Sequence, residues 1–451
     1  MLSSLAPYPL QGYNPPHMVT HQKHTLNNGL PVLLVEMPSV QSVTALVLTN
    51  TGSRYEIPQQ AGIAHFFEHI VFKGTEKYPD PQTLASAIDA IGADFNAFTS
   101  KEYTGYYVKS ASQHLGTSLD VLSDMLLRPL IKQEDIDREK GVIIEEINMY
   151  KDNPMYHVSN LFEQMTYADF GLSHDIIGTK ETVSGITSVD FRTFLSSWYG
   201  LPNMLLVLAG DAKTLKSKKT LQMVEAAFSK KTDEPRVKNK VKLRKYLSQK
   251  PLSESHLHIE HKATEQAHLV LGWKGIPRSD TENRHALSLL GTLMGGNMSS
   301  RLFSEVREKR GLCYYVRADV DYYHEVGLVG ASAGVDPKRV YEAIEVIIDE
   351  FNQVASGKRP VTEEELNRAK EYIRGTLTLS FEDSRSVAQS FGMKELLLDK
   401  VETLEESLAK MQAVTLDQVN ELAALLFKTA KPKLAVIGPF EDKTKFESLI
   451  S

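Results

Sequence analysis

Apolar positions recur along this chain with two different periods. Between Ile63 and Val71 the residues Ile63, Phe66, Phe67, Ile70 and Val71 fall at helical spacing on one side of a wheel, opposite His65, Glu68 and His69. Glu134 to Tyr150 and Glu363 to Thr378 also have helical composition, whereas Asp94 to Ser100 followed by Tyr103 to Val108 predicts paired strands. Strands mixed with long helices in this order predict an α+β fold built in layers, not a doubly wound sheet. The longest apolar runs, such as Leu205 to Ala209, are strand-sized and fall short of the roughly 18 residues that cross a bilayer, so no membrane span is expected.

The pattern also repeats. Ala45–Leu48 resembles Ala267–Leu271, Ser188–Phe191 resembles Val414–Asp417 as a capped helix start, and Leu206–Gly210 resembles Leu434–Gly438. The offsets agree within a few residues, which predicts two similar two-layer domains related by internal duplication. The expected boundaries are an N-terminal arm over 1–20, a first α+β domain over 21–228, a connector over 229–255 and a second α+β domain over 256–451. A length of 451 residues accommodates two such domains.

Composition narrows the functional classes. With 42% hydrophobic and 24% charged residues the chain has the make-up of a globular protein. Its 51 Lys and Arg against 57 Asp and Glu leave a net charge of -6, which excludes binding to nucleic acid by bulk charge. The one basic stretch runs through Lys230, Lys231, Arg236, Lys238, Lys240, Lys242, Arg244, Lys245 and Lys250. It lacks an aromatic stacking platform and reads as a solvated connector. Residues 1–18 carry no Lys or Arg and are broken by Pro7, Pro9, Pro15 and Pro16, unlike a secretory signal. A single cysteine, Cys313, makes no internal disulfide. Both features favour the cytoplasm, with the periplasm open to a chain whose signal has been removed.

The chemistry concentrates in His65-Phe66-Phe67-Glu68-His69. At about 100° per residue, His69 stands about 40° to one side of His65 and Glu68 about 60° to the other, so all three leave one helix face. Two imidazoles one turn apart can ligate one Zn²⁺, and a carboxylate on the same face can take a proton from water at the open coordination position. Catalytic zinc ordinarily has three protein ligands, so a third must come from elsewhere. On the helix from Glu134 to Tyr150, Glu139 and Glu146 share a face, whereas Glu145 is rotated roughly 100° from Glu146. Glu146 is therefore the candidate ligand, with Glu139 behind it as a group that could orient a ligating histidine.

His-x-x-Glu-His, with Glu146 placed 77 positions after His69 and Glu139 seven before that, resembles the inverted-motif zinc metallopeptidases that include pitrilysin, insulin-degrading enzyme and mitochondrial processing peptidase. Two further stretches carry the resemblance. Gly92–Ser100 is similar to the edge strand on which family members bind an extended peptide, here through Phe95, Asn96, Ala97 and Phe98. Met298–Phe303 leading to Arg307 and Tyr314 is similar to the family's distal Arg/Tyr pair. The resemblance gives these two a catalytic role, reaching across an enclosed chamber to hold the substrate backbone and polarise the scissile carbonyl. From the residues alone, Arg307 reads as a helix-surface cation and Tyr314 as a half-buried strand residue.

The resemblance implies a zinc-dependent endopeptidase of the bacterial processing-peptidase-like type, acting on peptides or unfolded segments. Glu68 would be its general base and proton donor. Its partners would be the peptide and a second copy in a homodimer, with a heterodimer as the alternative. The second repeat places Leu287–Gly291 and Ala369–Thr376 where the metal motifs stand, so one Zn²⁺ per chain is expected. The competing readings are a non-catalytic binding or assembly subunit of the same fold, and a catalytic subunit that needs a separate partner chain. The group His256, His258 and His261 matches no standard zinc spacing and reads as a solvated strand edge, and His17, His21 and His24 occupy a Pro-flanked terminal arm and read as disordered or packing residues.

Overall fold

The computed structural model describes residues 19–168, 170–230, 232, 235–248 and 250–451, without the side chains at 170, 244 and 245. The expected arm, with His17, lies outside these apart from Val19 and Thr20, as does Lys231 of the basic run.

Eleven strands among the described residues form two sheets. The first combines β1 (Thr20–Thr25), β2 (Pro31–Met37), β3 (Ser42–Thr49), β4 (Asp94–Thr99), β5 (Thr104–Ala111) and β6 (Met204–Asp211) in the order β1-β2-β6-β3-β5-β4. The second combines β7 (Leu257–His261), β8 (Ala267–Gly275), β9 (Cys313–Tyr322), β10 (Gly327–Val335) and β11 (Lys433–Gly438) in the order β7-β11-β8-β10-β9. With β1 set aside the two orders coincide, and each sheet has one parallel pair in the same place, β2 with β6 and β7 with β11. The three sequence anchors fall on equivalent elements of this duplicated plan, so the chain is two similar domains of mixed helix and sheet.

Each repeat contributes five helices that matter here. The first supplies α1 (Ile63–Ile70), α2 (Leu115–Leu127), α3 (Gln133–Asp152), α4 (Pro154–Thr166) and α5 (Ser188–Trp198). The second supplies α6 (Arg284–Gly291), α7 (Val340–Ala355), α8 (Glu363–Ser380), α9 (Ser384–Leu398) and α10 (Leu416–Phe427). The central strand β3 is apolar on both faces because both are covered. Val43, Ala45 and Val47 meet the helices of their own repeat. Leu46 and Leu48 meet Val387, Ala388 and Phe391 of α9, which belongs to the other repeat. The exchange is reciprocal: Val158, Leu161, Phe162 and Met165 of α4 cover Val270, Leu328, Ala435 and Ile437 of the second sheet. Each domain's own two layers thus acquire a third from its counterpart. Gly392 permits the close approach, since a Cβ there would lie 2.7 Å from Leu48 Cδ1 and 2.9 Å from Val207 Cγ2.

Ion pairs cross the same boundary. The Arg54 guanidinium, fully buried, donates to Glu102 of its own repeat (2.5 Å) and to Glu325 of the other (3.1 Å), and Arg278 returns the exchange by pairing with Glu102. The basic connector departs from the solvated stretch expected. Val237 N donates to the Ser196 carbonyl (2.9 Å), Val241 N donates to Asn203 Oδ1 (3.0 Å), and the Tyr246 ring lies 5.4 Å from those of Tyr55 and Trp198. Sparse apolar residues dock this stretch on the first domain while Lys238, Lys240, Lys242 and Lys250 stay exposed, and Lys230 turns inward to pair with Asp120 at 2.9 Å, an arrangement that average composition conceals. His21 and His24 likewise belong to β1, where His21 meets the Phe391 ring edge-on at 5.8 Å. Leu257–His261 is the expected sheet edge. His256 Nδ1 lies 3.2 Å from the Pro432 carbonyl, and Glu260 pairs with His157 at 3.1 Å.

Candidate metal centre

The helix that carries the histidines is positioned from its N-terminal end. Gly62 has φ +95°, and a Cβ there would lie 2.5 Å from the Ile177 carbonyl oxygen, so this left-handed position accommodates glycine alone without a backbone shift. The buried Glu56 carboxylate accepts from the Gly62 and Ala64 N–H groups (2.7 and 2.8 Å), satisfying amides that the first helical turn leaves open. His174 Nε2 stands 3.2 Å from the same carboxylate. Ile63, Phe66, Phe67 and Ile70 are all buried on the opposite side, with Phe66 edge-on to Phe191 and Phe67 to Tyr199. These contacts set the rotation of α1 and send His65, Glu68 and His69 off the other face.

That face meets α3. One ligating atom each from His65, His69 and Glu146 lies within 4.8 Å of the others. His65 Nε2 is 3.8 Å from Glu146 Oε1, and His69 Nε2 is 3.5 Å from Glu146 Oε2. Donors sharing one tetrahedral ion at about 2.0–2.1 Å stand about 3.4 Å apart, so the three residues fit a zinc-sized cation. Glu139 lies behind them, its Oε1 3.0 Å from His69 Nδ1, which leaves His69 Nε2 to face the cluster. Lys73 Nζ holds the other Glu139 oxygen at 2.6 Å. Glu145 points outward, at 3.4 Å from Asn148 Nδ2.

The electrostatics ask for positive charge at this point. Burial pulls the His65 imidazole down to about 4, against Glu146, so it is neutral near pH 7. Burial also pulls on His69, but hydrogen bonds with Glu139 and Glu146 overcome it and hold that imidazole up at about 9. Metal binding at this point would compete with protonation of His69. Burial raises the Glu68 carboxyl, opposed by a hydrogen bond from Thr99 Oγ1 to Glu68 Oε2 of 2.7 Å.

Thr99, Lys73 and Glu56, which support the cluster from neighbouring elements, escape sequence reasoning. Thr99 had a signal, because it lies two residues beyond Ala97 and therefore on the same strand face. The others act through contacts that no spacing reveals.

Among the candidate substrate residues, β4 pairs with β5 alone and so has one free edge. Its side chains alternate. Phe95 meets Phe72 at 5.5 Å on the α1 side, where Ala97 is also buried, whereas Phe98 packs toward the α9 face beside Tyr103. Asn96 is exposed, and its Oδ1 accepts the Ala97 N–H at 2.8 Å.

Arg307 and Tyr314 lie together in the second domain, the guanidinium 5.4 Å from the Tyr314 ring and 4.9 Å from Phe303. Among the described residues neither makes an ion pair or hydrogen bond with the histidine–glutamate cluster. Tyr314 is 73% exposed instead of half-buried, because a bulge pairs Gly334 with Tyr315 and Val335 with Cys313 and leaves Tyr314 as the extra residue. At the equivalent position in the second domain, α6 offers Leu287–Gly291, and Thr376 of α8 stands where Glu146 stands in α3.

Comparison with known proteins agrees with this asymmetry. Residues 31–180 match the family model of insulinase, peptidase family M16, and residues 185–373 match the model described as the peptidase M16 inactive domain. The chain is 36% identical over 427 residues to an uncharacterized zinc protease of Streptomyces coelicolor, covering 94% of this chain and 91% of that protein. It is 36% identical over 419 residues to one of Bacillus subtilis, covering 93% and 98%. Among solved structures, a protease from Helicobacter pylori superposes with a TM-score of 0.83 at 22% identity, over 94% of this chain and 100% of that one. An M16 inactive-domain protein from Pseudomonas fluorescens gives 0.84 at 21%, over 94% and 98%. These two extend the likeness of fold across both domains. With its first domain carrying the inverted histidine–glutamate motif and its second lacking it, this chain belongs to the insulinase family of peptidases, family M16.

Proposed function

We propose that the protein is a zinc endopeptidase that cleaves peptides or unfolded segments bound as an added strand. The observation that carries this reading is the convergence of His65, His69 and Glu146 within 4.8 Å, with Glu68 on the same helix face but outside the ligand set. One zinc per chain would be held by those three, with Glu139 orienting His69. Zinc so bound supplies a Lewis acid and brings the pKa of water to about 7. Glu68 takes the proton and returns it to the leaving amine. Thr99 occupies Glu68 Oε2, which leaves Oε1 to handle that proton. The peptide backbone pairs with the free edge of β4, and the Asn96 contact to the Ala97 N–H is given up to it.

Arg307, without a carboxylate partner among the described residues, and the exposed Tyr314 are suited to grip substrate from a facing domain. A homodimer supplies every part, since each copy carries both the metal helix and this pair. No described helix is long and apolar enough to cross a membrane. A chain with one cysteine, Cys313, relies on no internal disulfide, which supports a cytoplasmic setting. A non-catalytic subunit is the less favoured reading because the base, the ligands and the residues behind them are all present.

The deciding experiment is hydrolysis of a quenched-fluorescence peptide by the purified chain, with zinc measured on the same sample. Chelation is expected to abolish turnover and one equivalent of zinc to restore it; turnover that survives in zinc-free protein would remove the metal from the mechanism. Glu139→Gln is expected to weaken zinc binding by about 10–100-fold without abolishing it, because the amide still reaches His69 but carries no charge. Competition with a chromogenic chelator reads this directly.

A further inference from the structure

We propose that Tyr150 and Tyr156 form a side-chain subsite beside the metal cluster, selecting an aromatic or large aliphatic residue of the bound peptide next to the cleaved bond. The inference rests on the peptidase reading above and names the substrate class at that same site.

A tight elbow builds the pair. α3 ends and α4 begins at a single residue, Asn153, whose Oδ1 accepts the Met155 N–H at 3.2 Å while Pro154 takes the first helical position. Tyr150 stands one turn beyond Glu146 and leaves the same face of α3 as that candidate ligand. The charges of Glu146 and Glu68 both act on its hydroxyl, which puts it beside the cluster. On α4, His157 and Val158 are buried, with His157 paired to Glu260 at 3.1 Å, so the helix is rotated to send Tyr156 outward. The two rings meet edge to face, their centroids 6.1 Å apart and their planes at 88°.

Nothing in the chain covers this corner. Tyr156 is 55% exposed, and among the described residues it is the only largely exposed aromatic side chain of the first domain. Open ring surface next to a candidate catalytic cluster is surface that a substrate side chain can cover on binding. The neighbours decide which side chain. A lysine or arginine would be repelled by the zinc that Glu146 would hold, one helical turn from Tyr150. An aspartate or glutamate would meet the negative faces of two rings and the Glu68 carboxylate. Glycine or alanine would leave the rings wet. A bulky uncharged side chain, aromatic or branched aliphatic, meets both the rings and the charge.

The test uses alanine-based peptides carrying phenylalanine, glycine, lysine or aspartate at each position in turn. Cleavage by the full chain is followed by mass spectrometry, which locates the cut, and isothermal titration of zinc-loaded Glu68→Gln reads binding without turnover. Phenylalanine at one position beside the cut is expected to raise both kcat/KM and affinity about tenfold or more over the other three residues. Tyr156→Ala is expected to bring that ratio to within about threefold, whereas Tyr156→Phe, which keeps the ring, and the remote Leu425→Ala preserve it. Indifference to phenylalanine, or a preference unchanged in Tyr156→Ala, would overturn the subsite and leave the peptidase reading standing. Selective binding without cleavage by the wild-type chain would uphold the subsite and remove that reading, and neither binding nor cleavage of any peptide would remove both.

Discussion

Glu68→Gln is expected to lower peptide hydrolysis by roughly 10²–10⁴-fold, the usual contribution of a positioned general base, while zinc content stays at the wild-type level. The two halves of that expectation have separate physical grounds. Zinc is retained because Glu68 is not one of the three convergent ligands, and glutamine keeps the shape that Thr99 Oγ1 holds at 2.7 Å. Turnover falls because an amide cannot accept a proton as a carboxylate does. Zinc and peptide turnover should therefore be measured on one preparation. A zinc-loaded variant that still works within tenfold of wild type would place the base elsewhere, and a variant that loses zinc would show Glu68 to be part of the metal site.

Phe391→Ala is expected to destabilise the whole chain by about 3–5 kcal/mol, the range for emptying a fully buried phenylalanine site. The notable feature is which domain loses the energy. Phe391 belongs to a helix of the second repeat, but its ring packs on the first sheet near His21 and Phe381. The protein has two tryptophans, and they divide between the domains: Trp198 in the first core and Trp273 in the second. Single-tryptophan versions, made with Trp273→Phe or Trp198→Phe, report each core during urea unfolding. Phe391→Ala should move both midpoints to lower urea together. Movement of the second core alone would show that the exchanged helices do not couple the domains. Leu425→Ala, at a side chain 72% exposed, should move neither.

Both expectations depend on how the chain meets itself, and only part of that was legible beforehand. The metal helix was legible because its amphipathic pattern is local: the residues that bury it and those that carry the chemistry lie within eight positions. The distance between Glu139 and Glu146 was likewise readable as a shared helix face. The resemblance to an inverted-motif peptidase added which residues on distant elements to pair. Glu56 and Lys73 were not legible, because each acts across a gap in sequence to which no period applies, whereas strand alternation could have found Thr99. The docking of the connector was not legible for a related reason. Its lysines dominate the composition, while the few residues that dock it, Val241 and Tyr246 among them, are spaced irregularly.

The sequence by itself determined the duplicated α+β plan, the inward and outward faces of the metal helix, the shared face of Glu139 and Glu146, and the lack of a second histidine–glutamate motif in the second repeat. Each is a matter of residue type and period within one element or of likeness between two stretches. Only the tertiary structure decided that α4 and α9 change places to cover each other's sheets, and that a bulge turns Tyr314 outward. These follow from packing between segments that can lie hundreds of residues apart, where burial, not local pattern, selects the arrangement.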